Sequence, residues 1–377
     1  MRKDDIDLLC CKQCHGNLYI FISDHNDANK NHIVNGALRC KNCKRIYPIL
    51  NHVLIFLDDE EIRQIFTEDQ KQNLFNIIGK YNFLEAGHIE SEQLRVGHNW
   101  NFQFTDAFPV SISDMNLLNG FWGENAFYNF SGITKDVVRN KIVGVFCGGS
   151  GREAYHLLNA GARKAVVVDI GGHINNLPFL FKDKLDNVLL LWGDIKTVPL
   201  KNECLDIVIC DHALQHVENH RIAFSKMVQT IKPQEEISIC VYSHENNLLM
   251  THAIEPLKFL FKIIPVKILR YFAIIPAFML FMYFHINHSL FKLGLIECTR
   301  LPFFKVLNLW SYGGFQKFWE ACFDLLHAPI SYHFKKFECE NLAQKNNLKI
   351  VKIDMVNDTM WCLVAQKGVR VPCESNV

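Results

Sequence analysis

The feature that most constrains the fold is a stretch, residues 143–169, that reads as strand, glycine turn, helix and second strand. The apolar run at residues 142–146 predicts a short buried strand. Gly148, Gly149 and Gly151 then predict a tight turn whose backbone can lie close to a ligand. These pieces predict the first strand–turn–helix unit of an α/β sheet.

The second half of this stretch predicts the helix and the next strand. Good helix formers fill residues 152–159, and Gly161 ends them. A β-branched run at residues 164–170 contains Asp169 near its end. In a unit of this kind, a carboxylate at that place accepts hydrogen bonds from ribose hydroxyls. The spacing therefore fits a ligand that contains adenosine.

Two more apolar strands follow, and each runs into a polar segment. Residues 187–191 lead into W-G-D-I at residues 192–195. Residues 205–210 lead into D-H-A-L-Q-H-V at residues 211–217. Four elements in this order are a much more specific signal than a lone glycine motif.

This order of elements resembles the class I S-adenosylmethionine-dependent methyltransferases over residues 143–244. The resemblance implies an α/β fold with a Rossmann-like seven-stranded sheet whose last strand is antiparallel, and it implies S-adenosylmethionine as cofactor. Further predicted strands at residues 236–242, 348–356 and 360–367 would complete that sheet. The residues that match the cofactor-binding positions of the family are Cys147, Gly148, Gly149, Gly151, Asp169, Ile170, Asp194, Ile195 and Asp211.

Two positions of the glycine turn depart from the family pattern D-x-G-x-G-x-G. Val145 stands in place of the acid, and Cys147 stands in place of the first glycine. A cysteine fits this turn without strain only if its φ is negative. The missing acid removes one partner for the ammonium group of the cofactor.

Two histidines are the candidate general bases. The sulfonium of the cofactor makes its methyl group electrophilic, so the protein needs only to align a nucleophile and accept its proton. Ligands bind at the carboxyl ends of the strands in open α/β sheets. His212 and His244 follow the fourth and fifth strands and are therefore the predicted catalytic residues. The alternative for each is a polar histidine without a catalytic role.

Two C-x-x-C pairs near the amino terminus predict a structural zinc site. Cys11 and Cys14 form the first pair, and Cys40 and Cys43 form the second after a polar spacer. Four thiolates satisfy tetrahedral Zn(II), and so small a segment needs such a staple to fold. Residues 11–15 also spell the haem-attachment pattern C-x-x-C-H, but the second pair favours zinc. The segment resembles the zinc-ribbon domain that activates tRNA and protein methyltransferases and precedes many small-molecule methyltransferases.

Composition and the first residues of the chain bear on its partners and its cellular compartment. The chain has 40 basic and 39 acidic residues, a balance that gives no electrostatic footprint for nucleic acid. Its first residues are charged and lack the apolar core of a signal peptide, so we expect a cytoplasmic protein. In that compartment the 14 cysteines are metal ligands and core thiols rather than disulfides. The sequence does not indicate an oligomeric state.

The chain divides into six predicted parts. They are a zinc ribbon (1–57), a helical linker with an aromatic-rich lid (58–135), the cofactor-binding core (136–244), a helical cap insertion (245–337), the final strand pair (338–368) and a tail (369–377).

The cap insertion contains an unusually apolar run within residues 270–285. About fourteen apolar residues broken by Pro276 are too few for a transmembrane span of roughly twenty. One interpretation is a helical cap buried against the core. The other is contact with a membrane surface through residues 256–294, with a lipid acceptor. Residues 323–333 resemble a segment that borders the acceptor pocket in related enzymes.

These observations favour methyl transfer from S-adenosylmethionine to a small-molecule, glycan or lipid-precursor acceptor. A second hypothesis is a non-catalytic, methyltransferase-like interaction protein. A third is RNA or protein methylation with the zinc ribbon as a docking module. The basic group Lys41, Lys44 and Arg45 is the only sequence support for the third hypothesis.

Overall fold

The computed structural model describes residues 1–23, 31–58, 62, 66, 68–78, 92–248, 250–297 and 301–369. Most of the predicted tail, much of the predicted linker helix and part of the spacer between the two cysteine pairs lie outside these residues.

Eleven strands form one mixed sheet in the described part of the chain, in the order β1-β2-β3-β4-β7-β6-β5-β8-β9-β11-β10. The strands are β1 (Leu18–Ser23), β2 (Gly36–Cys40), β3 (Ile46–Leu50), β4 (Val53–Ile55), β5 (Ile142–Phe146), β6 (Lys164–Asp169), β7 (Val188–Trp192), β8 (Leu205–Asp211), β9 (Ile231–Tyr242), β10 (Leu348–Val356) and β11 (Met360–Lys367).

Strands β5 to β11 form the predicted seven-stranded sheet. In the part of the sheet ordered β7-β6-β5-β8-β9, each strand is parallel to its neighbours. Strand β11 is antiparallel to both β9 and β10. Parallel neighbours need crossover connections, which most of the helices of this region supply. The Rossmann-like fold with an antiparallel last strand is therefore confirmed.

The amino-terminal strands extend this sheet instead of forming a separate one. Strand β4 pairs in parallel with β7, with Val53 opposite Leu190 and Ile55 opposite Trp192. Leu9 adds an isolated bridge to the core. The ribbon and the α/β core therefore share one continuous sheet.

Fourteen α-helices accompany the sheet in the described residues. They are α1 (Glu68–Ile78), α2 (Glu92–Phe102), α3 (Ile112–Met115), α4 (Glu124–Ser131), α5 (Lys135–Val138), α6 (Arg152–Asn159), α7 (Leu177–Leu180), α8 (His220–Thr230), α9 (Glu255–Phe261), α10 (Val266–Phe272), α11 (Ile274–Lys292), α12 (Phe304–Ser311), α13 (Gly314–His327) and α14 (Lys336–Lys345).

Both faces of the central sheet are buried. Along β6, Val166 and Val168 join one apolar cluster, whereas Ala165 and Val167 join the cluster on the other face. Alternate residues of a strand point to opposite faces, so helices cover the sheet on two sides. This explains why the central strands read as unbroken apolar runs in the sequence.

The cap, helices α9 to α13, has its own apolar cluster, which includes Leu269, Phe284 and Phe318. Pro276 does not break the apolar run, because it lies in the first turn of α11, where a missing N–H is tolerated. The stretch Val266–Lys292 is long and apolar enough to cross a membrane, judged by length and composition alone. Only 17% of its most apolar window is buried, so the expectation of a run buried against the core is wrong for its outer face.

Candidate active site

A cavity of about 570 Å³ opens at the carboxyl ends of the central strands. Residues that follow β5, β6 and β8 form its floor, Tyr242 at the end of β9 adds to it, and the cap forms an opposite wall. Five aromatic residues of the predicted lid also line it, namely Trp100, Phe104, Phe121, Trp122 and Phe130. This is the edge of an open α/β sheet where ligands bind.

The turn after β5 has an unusual backbone. Cys147 has φ of 55°, so it adopts the left-handed conformation that favours glycine, and the negative φ required for an unstrained cysteine is not observed. Gly149 has φ of 49°, and an added Cβ would lie 3.4 Å from the Phe104 ring. Cys147 and Gly149 line the cavity. The turn therefore brings backbone close to whatever occupies this end of the cavity.

Asp169 anchors this turn from the end of β6. The Gly149 N–H donates to Asp169 Oδ2 over 2.9 Å, and the Gly171 N–H donates to Oδ1 over 2.7 Å. His173 Nε2 lies 3.3 Å from Oδ1. Burial opposes ionisation of Asp169, but His173 and the two N–H donors outweigh it and lower the pKa of the carboxyl. The result is an ionised carboxylate in the cavity lining.

Asp211, at the end of β8, is held between two partners. Its Oδ2 accepts from Arg152 Nη2, and its Oδ1 lies 2.6 Å from His212 Nδ1. Burial raises the pKa of Asp211, but the charges of His212 and Arg152 more than compensate, so the net pKa is lowered. Because an ionised carboxylate only accepts, His212 Nδ1 carries the proton of this contact, and Nε2 is the nitrogen left to face a ligand.

Arg152 is buried beneath the lid. It is 2% exposed and pairs with Glu153 at 2.7 Å as well as with Asp211. Its Nη1 donates to the Phe121 carbonyl over 3.0 Å, and its guanidinium carbon lies 4.8 Å from the Phe121 ring centre. These contacts tie the lid to the floor of the cavity. Arg152 itself was not predicted as a site residue.

Helix α13 places three more charged residues in the lining. Lys317, Glu320 and Asp324 follow the spacing i, i+3, i+7 and share one helical face. Lys317 Nζ lies 2.9 Å from Glu320 Oε1 and 3.9 Å from the Phe121 ring centre. Burial lowers the pKa of Lys317 and raises those of Glu320 and Asp324. The spacing was visible in the sequence, but charged helical faces usually face solvent.

The structure brings some of the predicted residues together and leaves others outside. Cys147, Gly149, Asp169, Ile170, Asp211 and His212 line the cavity. Among the described residues, the lining does not include Gly148, Gly151, Asp194, Ile195 or His244.

The predicted residues outside the lining have structural partners. Asp194 caps a short helical turn by accepting from the Lys196 N–H over 2.8 Å. An added Cβ at Gly148 would lie 2.5 Å from Val167, which explains the glycine there. The His244 N–H donates to the Phe334 carbonyl over 2.8 Å, beyond the end of β9. Of the two candidate bases, only His212 lies at the cavity.

The segment predicted to border the acceptor pocket does reach the cavity. Asp324, Leu325 and His333 are part of the lining. His327 lies behind it, with its ring 4.6 Å from the Trp100 ring.

The four cysteines predicted as metal ligands form one cluster. Their sulfur atoms lie within 4.8 Å of one another, with Cys11 and Cys43 3.5 Å apart and Cys14 and Cys40 3.4 Å apart. The Tyr47 hydroxyl lies 3.0 Å from Cys11 Sγ, where it can orient the thiolate. The donor set fits tetrahedral Zn(II). Asp211, His212 and Cys240 also converge within 4.8 Å, but Arg152 already neutralises that carboxylate.

Two segments of the chain match known families. Residues 5–51 match the family described as Trm112p-like protein, and residues 145–239 match the family described as methyltransferase domain. The chain therefore combines a Trm112p-like zinc-ribbon domain with a class I methyltransferase domain. The comparison with curated protein sequences gave no significant match.

Several solved structures are similar at low sequence identity. A complex of the Haloferax volcanii Trm112 methyltransferase activator with a methyltransferase has a TM-score of 0.41 and 11% identity, over 65% of this chain and 92% of that one. Magnesium protoporphyrin IX methyltransferase from Synechocystis gives 0.40 and 13%, over 72% and 93%. The Burkholderia thailandensis 1,6-didemethyltoxoflavin-N1-methyltransferase gives 0.41 and 10%, over 76% and 94%.

Proposed function

We propose that the chain transfers a methyl group from S-adenosylmethionine to a small-molecule acceptor with an apolar body. The observation that carries this proposal is the turn at residues 147–151, whose backbone and the anchored Asp169 carboxylate line one cavity within the segment that matches methyltransferase domains. The same cavity extends from the turn to the lid and the cap, where Trp122 and Met279 line it.

The residues of the turn fit the cofactor as follows. Asp169 is ionised and accepts hydrogen bonds, so it is suited to ribose hydroxyls. The Gly149 backbone lies against the cavity without a side chain, where the methionine end would pass. Ile170 supplies apolar contact beside Asp169. We keep Asp194 and Ile195 as proposed adenine neighbours, although they lie just outside the lining.

When bound, S-adenosylmethionine supplies an electrophilic methyl group on a sulfonium. The acceptor nucleophile forms a bond to that carbon while the carbon–sulfur bond breaks, and the acceptor loses a proton. We assign His212 as the group that takes this proton through Nε2, because the Asp211 carboxylate holds Nδ1 protonated. The aromatic lid excludes water from the reacting atoms.

The opposite wall is suited to an acceptor that carries a polar group on an apolar body. The lining is mainly apolar, but Lys317, Glu320 and Asp324 project one charged face from α13 into it. Buried charges need polar partners, so these side chains favour an acceptor with a polar substituent at that wall.

The Zn(II) site has a structural role in this proposal. The ion would be held in the ribbon that extends the sheet, by Cys11, Cys14, Cys40 and Cys43. In the sheet order, more than one strand separates β2, which ends at Cys40, from β6, which ends at the cavity. The ion would stabilise the folded ribbon and would take no part in methyl transfer.

Isothermal titration with S-adenosylhomocysteine tests the proposal directly. We expect one site per chain with micromolar affinity or tighter. An absence of binding at millimolar ligand, with the chain folded and zinc-loaded, would refute the enzymatic function and favour a methyltransferase-like interaction protein.

A further inference from the structure

The outer surface of the cap carries just over half of the large exposed apolar residues in the described part of the chain. Among the described residues, 27 large hydrophobic side chains are exposed, and 14 of them lie between residues 257 and 295. On α11, Ile275, Phe278, Met282 and Ile286 form one stripe at helical spacing, with Ile275 64% and Phe278 56% exposed. Contiguous apolar surface of this kind marks an interaction site.

The inner surface of the same helix is equally apolar and is already covered. Ala277 and Phe284 are buried, and the Phe281 ring lies 5.4 Å from the Phe318 ring of α13. A helix that is apolar all round belongs in a protein core or in lipid. No described part of the chain covers the outer stripe, so the helix is suited to lie in an interface between protein and lipid.

The charge of this segment indicates which surface it fits. Residues 256–296 contain five basic residues and no acidic one, with Glu255 and Glu297 at the two ends of this range. Lys258 is buried and pairs with Glu255 at 2.8 Å, so it does not contribute to the surface charge. Lys262, Lys267 and Lys292 are exposed near the ends of the apolar helices. Basic residues that flank an apolar face attract anionic lipid headgroups.

The apolar stripe is continuous with the candidate active site. Met279 is 65% exposed on α11 and also lines the cavity, next to Pro276 and Leu280. Phe303 and Val306, at the start of α12, add further apolar side chains to the lining of the cavity. Among the described residues, these apolar side chains connect the outer surface of the cap with the cavity.

We propose that the cap docks on the surface of an anionic lipid bilayer through helices α9 to α11, and that the methyl acceptor, a molecule with an apolar body and a polar group, enters the cavity from the bilayer past Met279. The helices lie on the bilayer rather than across it, because crossing would remove Phe281 and Phe284 from their partners on α13. The second half of this proposal rests on the proposed methyl transfer, whereas the docking does not.

Vesicle flotation of the full zinc-loaded chain tests the docking. We expect the wild-type chain to float with vesicles of phosphatidylcholine and phosphatidylglycerol in a 7:3 ratio, and to float weakly with phosphatidylcholine alone. Combining Lys262→Gln, Lys267→Gln and Lys292→Gln is expected to weaken partition to the anionic vesicles by about a hundredfold, because each lysine near such a surface contributes about 1 kcal/mol, or about fivefold.

A second variant set tests the apolar stripe. Ile275→Ser, Phe278→Ser and Met282→Ser together are expected to reduce partition at least about tenfold on both vesicle types. The matched control combines Phe179→Ser, Ile222→Ser and Val351→Ser, three comparably exposed apolar residues outside the cap, and is expected to partition like wild type.

Three outcomes would overturn the docking. In the first, the wild-type chain fails to float with anionic vesicles, and in the second, the stripe variant floats as well as wild type. In the third outcome the wild-type chain does not float, but sedimentation equilibrium without vesicles shows a dimer that the stripe substitutions dissociate. S-adenosylhomocysteine titration of the same variants separates this proposal from the proposed function. Loss of flotation with retained ligand binding concerns the docking surface alone, and flotation without ligand binding overturns only the methyl transfer and the acceptor route.

Discussion

Replacing Asp169 with asparagine tests whether this carboxylate organises the cofactor end of the cavity. Its two oxygens accept the N–H groups of Gly149 and Gly171 at 2.9 and 2.7 Å. An asparagine amide has one acceptor oxygen, so one of these N–H groups loses its partner and the proposed ribose contact loses its charge. A hydrogen bond to a charged group contributes about 1.5–3 kcal/mol, which corresponds to a loss of S-adenosylhomocysteine affinity of about tenfold to a hundredfold.

The assay is isothermal titration at pH 7.5, with Asp206→Asn as the matched control. Asp206 is also a buried carboxylate, and it accepts from the Ile142 N–H over 2.7 Å and pairs with Lys232 Nζ at 2.6 Å. It lies at the opposite end of the strands, so its variant should lose stability without losing ligand affinity. Wild-type affinity in Asp169→Asn, or an equal loss in both variants, would refute the role of this carboxylate.

Four further predictions follow from the site and its surroundings. His212→Asn should lower methyl transfer from labelled S-adenosylmethionine to a lipid extract by about 10²–10⁴-fold while S-adenosylhomocysteine affinity stays within about threefold; an unchanged rate would exclude His212 as the base. Lys317→Met leaves Glu320 buried without its ion-pair partner and should cost about 3–5 kcal/mol in urea unfolding, more than the double variant Lys317→Met, Glu320→Gln. A double variant that is less stable than the single one would argue against this ion pair. Cys14→Ser should abolish stoichiometric zinc in elemental analysis and lower the free energy of unfolding by several kcal/mol, and full stability without zinc would contradict a structural site. Burial lowers the pKa of His216 to about 3, so the unfolded chain takes up a proton below about pH 6.5 that the folded chain does not, and stability falls as the pH decreases through that range. Between pH 7.5 and 5.5, the free energy of unfolding measured in urea should fall by about 1 kcal/mol less for His216→Gln than for wild type. Equal decreases for the two proteins would contradict a neutral buried His216.

Most of the α/β core could be predicted because its strands are buried on both faces. Such strands read as unbroken apolar runs, and the predicted run at Ile142–Phe146 has the observed bounds. The alternating strands predicted at Leu348–Val356 and Met360–Lys367 also have the observed bounds, although β10 is an edge strand with several exposed residues. The pairing of β4 with β7 could not be predicted. The two strands are far apart in sequence, and no local pattern indicates which sheet edge receives a given strand.

Some contacts of the candidate site could also be predicted from the sequence, and others could not. Gly149 and Asp169 come from one contiguous unit whose geometry follows from its sequence, so their approach was predictable. Lys317 and Arg152 meet at the lid only through packing of distant helices, which the sequence does not reveal. His244 was proposed from its place after β9, but its side chain is not part of the lining, whereas Tyr242 before it and Asn247 after it are.

The basic group near the second cysteine pair gives little support to a nucleic-acid partner. Arg45 Nη2 lies 2.7 Å from Asp58, and Lys44 Nζ donates to the Lys41 carbonyl over 2.7 Å. Part of the positive charge is therefore used within the ribbon. Residues 256–296 contain five basic residues and no acidic one, and three of the basic residues, Lys262, Lys267 and Lys292, are exposed.

The most direct measurement is a crystal structure of the zinc-loaded chain grown with saturating S-adenosylhomocysteine. We expect the nucleoside to lie beside Asp169, with a ribose hydroxyl within about 3 Å of a carboxylate oxygen, and the sulfur to face the space between His212 and α13. Density for the ligand elsewhere, or an intact turn with no ligand beside it, would contradict the assignment of this cavity.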